Sequence, residues 1–460
     1  MKILFLNPPN DPFSSKGILI EPVDLLQCAS YAEKIGFEVF AFDMDVKKCY
    51  SEDLDLFFKN KHFEVVIAVF DHHIPLHDTK AGFQAQKALK YFKDKGSFTA
   101  LAGKSASFNP SHMFSCLHVD VLIHKEIEPF LDQLKLKGIP KSLNQLQSFK
   151  SIRYWRHGQL FSTPWHSEIF DLNKIPSLNR SLLDIEDYID VRTILTSRGC
   201  NLKCTFCHVP GYWGGWRARK PSLVCQEILE IQKKYQGSKI LLLDDNATAQ
   251  PLRMKEISEE LIHLGNKAPL GCLATIVSFH QKTFETMFQA GFRWIHFGAE
   301  SADDWSLKTM LKRTDFETTC KVIENCRQIG FRLRTSWVLD MPDTTLDSLQ
   351  RTCQGILKLK TPEIRLHFLA LRLGSQLAQK YGAGSKQYIH NSGQNVNLTK
   401  IDPVLFENTV NSLIKELIEQ GYTLVTNPEE FKNISNLKKD NPSLKIVSLC
   451  PLRYGLNWEF

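Results

Sequence analysis

The stretch SRGCNLKCTFCHVPGYWGGWRARKP, residues 197 to 221, sets Cys200, Cys204 and Cys207 at intervals of four and three residues and then runs into aromatics and arginines. Three chemistries use thiols this close together. A structural zinc site takes four ligands, usually as two pairs. Here His208 adjoins Cys207 and the next cysteine, Cys225, falls inside a helical pattern, so zinc needs a distant fourth ligand. A redox pair is the second chemistry, but CTFC does not open a helix in a thioredoxin-like context. An iron–sulfur cluster is the third. Four thiolates close a 4Fe–4S cube for electron transfer, whereas three leave one iron with an open position where chemistry can occur. Most of the other cysteines, out of twelve, lie singly in apolar surroundings (Cys28, Cys116, Cys272, Cys353), as packed free thiols do, and a reducing compartment suits them.

The elements that must position the trio alternate between strand and helix. In the first 140 residues KILFLN, EVFAFD, EVVIAVF, FTALAG and VDVLI read as short buried strands, with helices at EPVDLLQCASYAEKIG, 78–95 and 125–136. Such alternation implies a parallel sheet covered on both faces, with ligands beyond the carboxyl ends of its strands. Residues 141–190 are rich in turn formers and read as a linker. Alternation resumes with RTILTSRG, KILLLDDN, LGCLATIVS, WIHFGAES, RLRTSWVLD and EIRLHFLALR. Six strand–helix units are too few for the closed barrel of eight, so a partial barrel is expected over 191–375. A C-terminal region, 376–460, opens with a polar loop and is mainly helical. The expected fold class is therefore α/β: a doubly wound parallel sheet, a partial (β/α)6 barrel and a small helical tail.

With 43% hydrophobic residues, 23% charged residues and a formal charge of +7, the composition is that of a soluble globular chain. The basic residues are scattered, which does not favour nucleic acid as a partner. No window is long and apolar enough to span a membrane, and the N-terminus lacks the features of a signal peptide. The expected location is cytoplasmic.

The C-x3-C-x2-C spacing after a barrel's first strand resembles the signature of the radical S-adenosylmethionine (SAM) superfamily. LLLDDNAT, HFGAES with LKTMLKR, and SWVLDMPDTTLDSLQRT resemble that family's second-, fourth- and fifth-strand segments. PGYWGGWRARKPSLVCQEI and the first 140 residues, with NPPND and HKEIEPFLDQL, are similar to members carrying an N-terminal cobalamin-binding domain, the branch of the hopanoid methylases and the bacteriochlorophyll ring cyclase. The resemblance implies a 4Fe–4S cluster on Cys200, Cys204 and Cys207, SAM on its open iron, and cobalamin. Reductive cleavage of SAM would yield a 5′-deoxyadenosyl radical, which takes hydrogen from unactivated carbon. By the same resemblance Phe206 packs near the adenine, Asp245 and Asn246 take the SAM amino group, and Glu300 and Ser301 its ribose or carboxylate. The alternative for the pair Asp244 and Asp245 is that they merely cap the following helix. Arg217 and Arg219 are candidates to clamp a carboxylate, and Trp213 and Trp216 to wall a pocket.

The chain departs from the family at glycine positions. Asp340 and Asp343 occupy the fifth-strand end, Ala102 stands for one of two glycines facing the cobalamin tail, and His124 opens the acidic turn. DHHIPL at 71–76 nearly spells a cobalt-ligating histidine motif, but it ends in Leu76 and follows the third strand, so His73 is read as a chance match. The leading expectation is a cobalamin-dependent C-methyltransferase on a small-molecule or lipid-like substrate, served by a flavodoxin or ferredoxin electron donor. A radical cyclase or rearrangement enzyme, a methylthiotransferase and a non-catalytic cobalamin-sensing protein are the alternatives.

Overall fold

The computed structural model describes residues 1–9, 19–69, 79–108, 119–166, 168–369, 371–381, 398–426 and 446–448. They fall into two compact units that divide between Ile189 and Asp190. The DHHIPL motif with His73, the loop 382–397, Cys116 and Cys450 lie outside the described residues.

In the first unit β1 (Lys2–Asn7), β2 (Glu38–Asp43), β3 (Val65–Val69), β4 (Phe98–Ala102) and β5 (Val121–Ile123) form a parallel sheet in the order 2-1-3-4-5. Side chains alternate between its faces. Ile3, Phe5, Val65 and Ile67 enter one hydrophobic cluster with the helices Val23–Lys34 and Glu128–Lys137. Leu4, Leu6, Val66 and Ala68 enter another on the opposite face with Ala85, Ala88 and Leu89 of the helix Thr79–Asp94. The near-continuous apolar runs of these strands are thus buried on both sides, as a doubly wound sheet demands.

The segment expected to be a linker is partly sheet. β6 (Ile152–Arg156) and β7 (Gln159–Ser162) form an antiparallel hairpin on β5. It turns at His157 and Gly158, both at positive φ. The hairpin covers the ladder groups that β5 would otherwise leave open as an edge.

The second unit holds β8 (Val191–Ile194), β11 (Lys239–Leu242), β12 (Leu270–Ala274), β13 (Phe292–Glu300), β14 (Arg332–Val338) and β15 (Glu363–His367). A ribbon of β9 (Ser197–Arg198) and β10 (Arg217–Ala218) lies between the first two in sequence. The long strands are parallel and ordered as in the chain, the winding of a β/α barrel. The sheet does not stop at six. β16 (Thr423–Thr426) adds to β15, and β17 (Ile446–Ser448) adds to β16, so the C-terminal region contributes strands as well as the helix Pro403–Glu419. Pairing removes the open edge of β15, a signal that no local pattern carries.

Alternate residues of these strands, among them Ile240, Leu242, Cys272, Ile295, Phe297, Leu333, Trp337, Ile364 and Leu366, make one core with the flanking helices. The helix Leu346–Leu359 opens with a capping box between Thr345 and Ser348. At Gly355 it passes so close to Ala302 and Phe316 that a Cβ has no room. Among the described residues no helix is long and apolar enough to cross a membrane.

Candidate active site

The cysteine loop begins where two backbones nearly touch. β9 and β10 pair Ser197 with Ala218 and Arg198 with Arg217. At the end of β9 Gly199 has φ +87°, and a Cβ there would collide with the carbonyl of Gly215. Only glycine meets both conditions. The loop is then tied to the end of β11. Asp245 accepts the Gly199 N–H at 3.0 Å. Asp244, fully buried, accepts Thr196 N at 2.6 Å and the Ser197 hydroxyl at 2.7 Å.

Asn246 is also fully buried, and its amide donates toward Cys200 Sγ at 3.7 Å and to Asn201 Oδ1 and Thr275 Oγ1 at 3.3 Å each. On the other side of the trio, Thr205 N bonds Met310 O at 3.0 Å, and Thr205 O accepts Leu377 N at 2.9 Å. The loop is therefore held by residues following the first, second, fourth and sixth strands of the barrel-like sheet.

Charge is organised around the thiols. At the end of β13 Glu300 sits at φ +67° and accepts Lys312 Nζ at 3.2 Å, with both side chains nearly buried. A Cβ on Gly298 would strike Glu300 Oε1, so that glycine makes room for the pair. Burial pushes Lys312 down, but Glu300 and the thiols of Cys204 and Cys200 outweigh it and hold its pKa above the ordinary value.

Burial pushes all three thiols up, Cys207 to about 12, against partial relief from Lys312 at Cys200 and Cys204 and from Arg372 at Cys207. Without iron these thiols keep their protons, and metal binding must displace them. The donor set fits an iron–sulfur cluster: three soft thiols that form no disulfide, a buried cation to offset thiolate charge, and an amide N–H directed at one sulfur. Among the described residues no three His, Cys, Asp or Glu side chains converge on one point.

The other expected residues are placed as follows. Phe206 lies half-buried in the turn between the second and third cysteines. Ser301 is buried and bonds Thr352 Oγ1 at 3.0 Å and Asp303 N at 3.1 Å, so its hydroxyl is engaged with the helix Leu346–Leu359. Arg219 does hold a carboxylate, but an internal one. Its buried guanidinium donates to Glu227 Oε2 at 2.6 Å and to Leu195 O at 3.2 Å, fastening the helix Pro221–Lys234 to the sheet. Arg217 remains half-buried over Trp213, whose ring also carries Arg198 at 5.1 Å. The Trp216 indole N–H is buried without a hydrogen-bond partner among the described residues.

At the fifth-strand end Asp340 is buried and accepts Leu369 N at 2.5 Å. The carboxylate, where the resemblance leads one to expect glycine, thus joins the ends of β14 and β15. Lys312 stands inside LKTMLKR, yet no spacing rule in the sequence marks it as the partner of Glu300.

Residues 194–354 match the Radical SAM superfamily. An uncharacterized methyltransferase of Pyrococcus horikoshii is 23% identical over 92% of this chain and 92% of its own length. The cobalamin-dependent S-adenosylmethionine radical enzyme OxsB, solved with aqua-cobalamin and S-adenosylmethionine, shares the fold. Its TM-score is 0.72 at 16% identity, over 95% of this chain and 70% of that one. The radical S-adenosylmethionine methyltransferase TsrM of Kitasatospora setae, solved with cobalamin and a [4Fe-4S] cluster, has a TM-score of 0.69 at 16% identity, over 82% and 77%. The chain carries a radical SAM domain and is a radical SAM enzyme, and that domain implies a 4Fe–4S cluster and SAM. Its fold is that of the cobalamin-dependent members.

Proposed function

We propose that this chain is a cobalamin-dependent radical SAM C-methyltransferase that acts on an unactivated carbon of a small-molecule or lipid-like substrate. The observation that carries the reading is the cysteine loop, held at the strand ends with the Asn246 amide directed at Cys200 Sγ and with the Lys312 charge acting on Cys200 and Cys204. When bound, the cluster and SAM supply a carbon-centred radical, and cobalamin supplies a transferable methyl group.

Cys200, Cys204 and Cys207 would hold the cluster. Asn246 and Asp245 fix the loop and border the amino group of SAM. Glu300 and Lys312 face its polar end, Ser301 holds the strand end in place, and Phe206 lies against the adenine. Arg217, with Trp213, lines the approach. Residues 191–375 act as the catalytic barrel and 376–460 complete it.

Residues 1–140 form the cobalamin-binding domain. Their strand order reverses direction between β1 and β3, which opens a crevice at the carboxyl ends. At that edge Lys104 is buried, Ser107 donates to Gly103 O, and Lys125 N donates to Ser107. His124 Nδ1 is buried without a partner among the described residues, and burial beside Arg153 and Lys125 holds this imidazole neutral, its pKa at about 2. A cytoplasmic flavodoxin or ferredoxin would supply electrons.

Ala102 and His124, where relatives carry glycine, favour a second reading in which the domain has lost cobalamin and the enzyme is a radical cyclase or rearrangement enzyme. Corrinoid content after anaerobic expression with hydroxocobalamin separates the two. About one cobalamin per chain supports methyl transfer, and a corrinoid-free protein with an intact cluster moves the assignment to the second reading.

A further inference from the structure

Thr205, between the second and third cysteines, ties the cysteine loop to two other segments of the same unit. Its backbone meets Met310 and Leu377, its hydroxyl donates to Thr309 O at 3.4 Å, and Gln376 Nε2 donates to the neighbouring Lys203 O at 3.5 Å. Residues 203–205, 304–313 and 376–380 are therefore neighbours on one surface beside the loop. That surface carries four exposed cations, Lys203, Lys308, Arg313 and Lys380, and none of them has an ion-pair partner among the described residues. The exposed carboxylates nearest to Lys308 and Arg313 in sequence are engaged elsewhere. Asp304 accepts Phe316 N at 2.8 Å, Asp315 accepts Thr318 N at 2.7 Å, and Glu317 pairs with Lys321 at 2.6 Å.

Two large apolar side chains stand among these cations. Trp305 is 62% exposed and Leu311 44%, and Lys308 Nζ lies 6.0 Å from the centre of the Trp305 ring. Leu311 and Arg313 hold φ of +57° and +56°, a region that residues with side chains seldom enter. Lys312 between them is buried on Glu300, while its two neighbours are left exposed. Apolar side chains ringed by charges of one sign fit a partner of the opposite sign. The place of this surface narrows that partner further, because Lys203 and Thr205 flank Cys204 directly and reductive cleavage of SAM consumes one electron.

We propose that this surface docks the electron donor, a small acidic one-electron carrier protein of the flavodoxin or ferredoxin class. The carrier is oxidised by one electron, the cluster on the trio is reduced by one, and no bond or group moves between the two proteins. Redox encounters of this kind are weak and bury little area, which suits four cations around two apolar side chains. The inference rests on the radical SAM reading, which a separate measurement on the same samples checks.

The test uses the full-length, anaerobically reconstituted protein, immobilised for biolayer interferometry against a bacterial flavodoxin and, separately, a 4Fe–4S ferredoxin, at about 50 mM and about 500 mM salt. The wild type should bind at least one carrier, and more weakly at the higher salt. Lys308→Glu with Arg313→Glu should weaken that carrier about tenfold at the lower salt. Lys308→Gln with Arg313→Gln should fall between, and guards against a folding defect in the reversed variant. Lys233→Glu with Lys267→Glu makes the same change of charge before β11 and β12, at the amino ends of the strands, and should bind as the wild type does. Absence of carrier binding to the wild type, or equal weakening in that last variant, overturns the proposal. Binding of bulk tRNA in place of either carrier also overturns it, because the cations would then serve a nucleic acid. Dithionite needs no carrier, so 5′-deoxyadenosine formed with it checks the radical SAM reading separately. A wild type that forms none contradicts that reading instead.

Discussion

Lys312 and Glu300 form a buried ion pair of 3.2 Å on the cysteine side of the sheet, and Gly298 is the residue that leaves space for it. Removing one partner leaves the other buried and uncompensated. Lys312→Met should therefore cost about 3–5 kcal/mol of stability, read from urea unfolding of the metal-free protein. The double variant Lys312→Met with Glu300→Gln should recover most of that loss. Equal destabilisation in the single and double variants would show that the two residues are not coupled.

Proton release accompanies iron binding. Burial raises Cys207 from its ordinary value near 9 to about 12, and raises Cys200 and Cys204 as well. A raised folded-state pKa gives stability that is whole below the unfolded value and fades as pH climbs toward the folded one. The metal-free protein should therefore lose stability between pH about 9 and about 12, and Cys207→Ala should lose less over that window. Urea midpoints along a pH series decide this. The iron-loaded protein should show no such decline from these thiols, because bound thiolates carry no protons.

Gly199 fixes the entry to the cysteine loop through its positive φ and its approach to Gly215. Gly199→Ala should lower stability by about 1–3 kcal/mol and reduce iron bound per chain after reconstitution. Full iron occupancy in this variant would mean that the loop tolerates a different path.

Asp340 stands where the family resemblance leads one to expect glycine, but placing glycine there should harm this chain. Its carboxylate accepts the Leu369 N–H, and Asp340→Gly leaves that donor without it. A loss of about 1–3 kcal/mol is expected, with Asp340→Asn closer to the wild type because an amide oxygen can still accept. Thermal midpoints of the three proteins measure it. Neutral behaviour of the glycine variant would remove the structural reason for the aspartate.

The strands were legible because their signal is local. VVIAV and KILFLN are apolar throughout, and both faces of their sheet are covered. The cysteine trio was equally plain, since its spacing lies within eight residues. What escaped was long-range. The hairpin of β6 and β7 has mixed polarity because one face is exposed, and β16 and β17 are short strands whose only reason to exist is the edge they cover. Arg219 reads as a ligand clamp in sequence, yet Glu227, eight residues on, occupies it. Lys312 carries no periodic mark, and only the fold brings it back to Glu300.

The central claim is that Cys200, Cys204 and Cys207 hold a cluster that cleaves SAM. The most direct measurement is 5′-deoxyadenosine formed after dithionite reduction of the anaerobically reconstituted protein, with iron analysis of the same samples. The wild type is expected to carry about four irons and release 5′-deoxyadenosine, and Cys204→Ala to lose both. Release of 5′-deoxyadenosine by Cys204→Ala at the wild-type level, or a fully loaded wild type that leaves SAM intact, would contradict it.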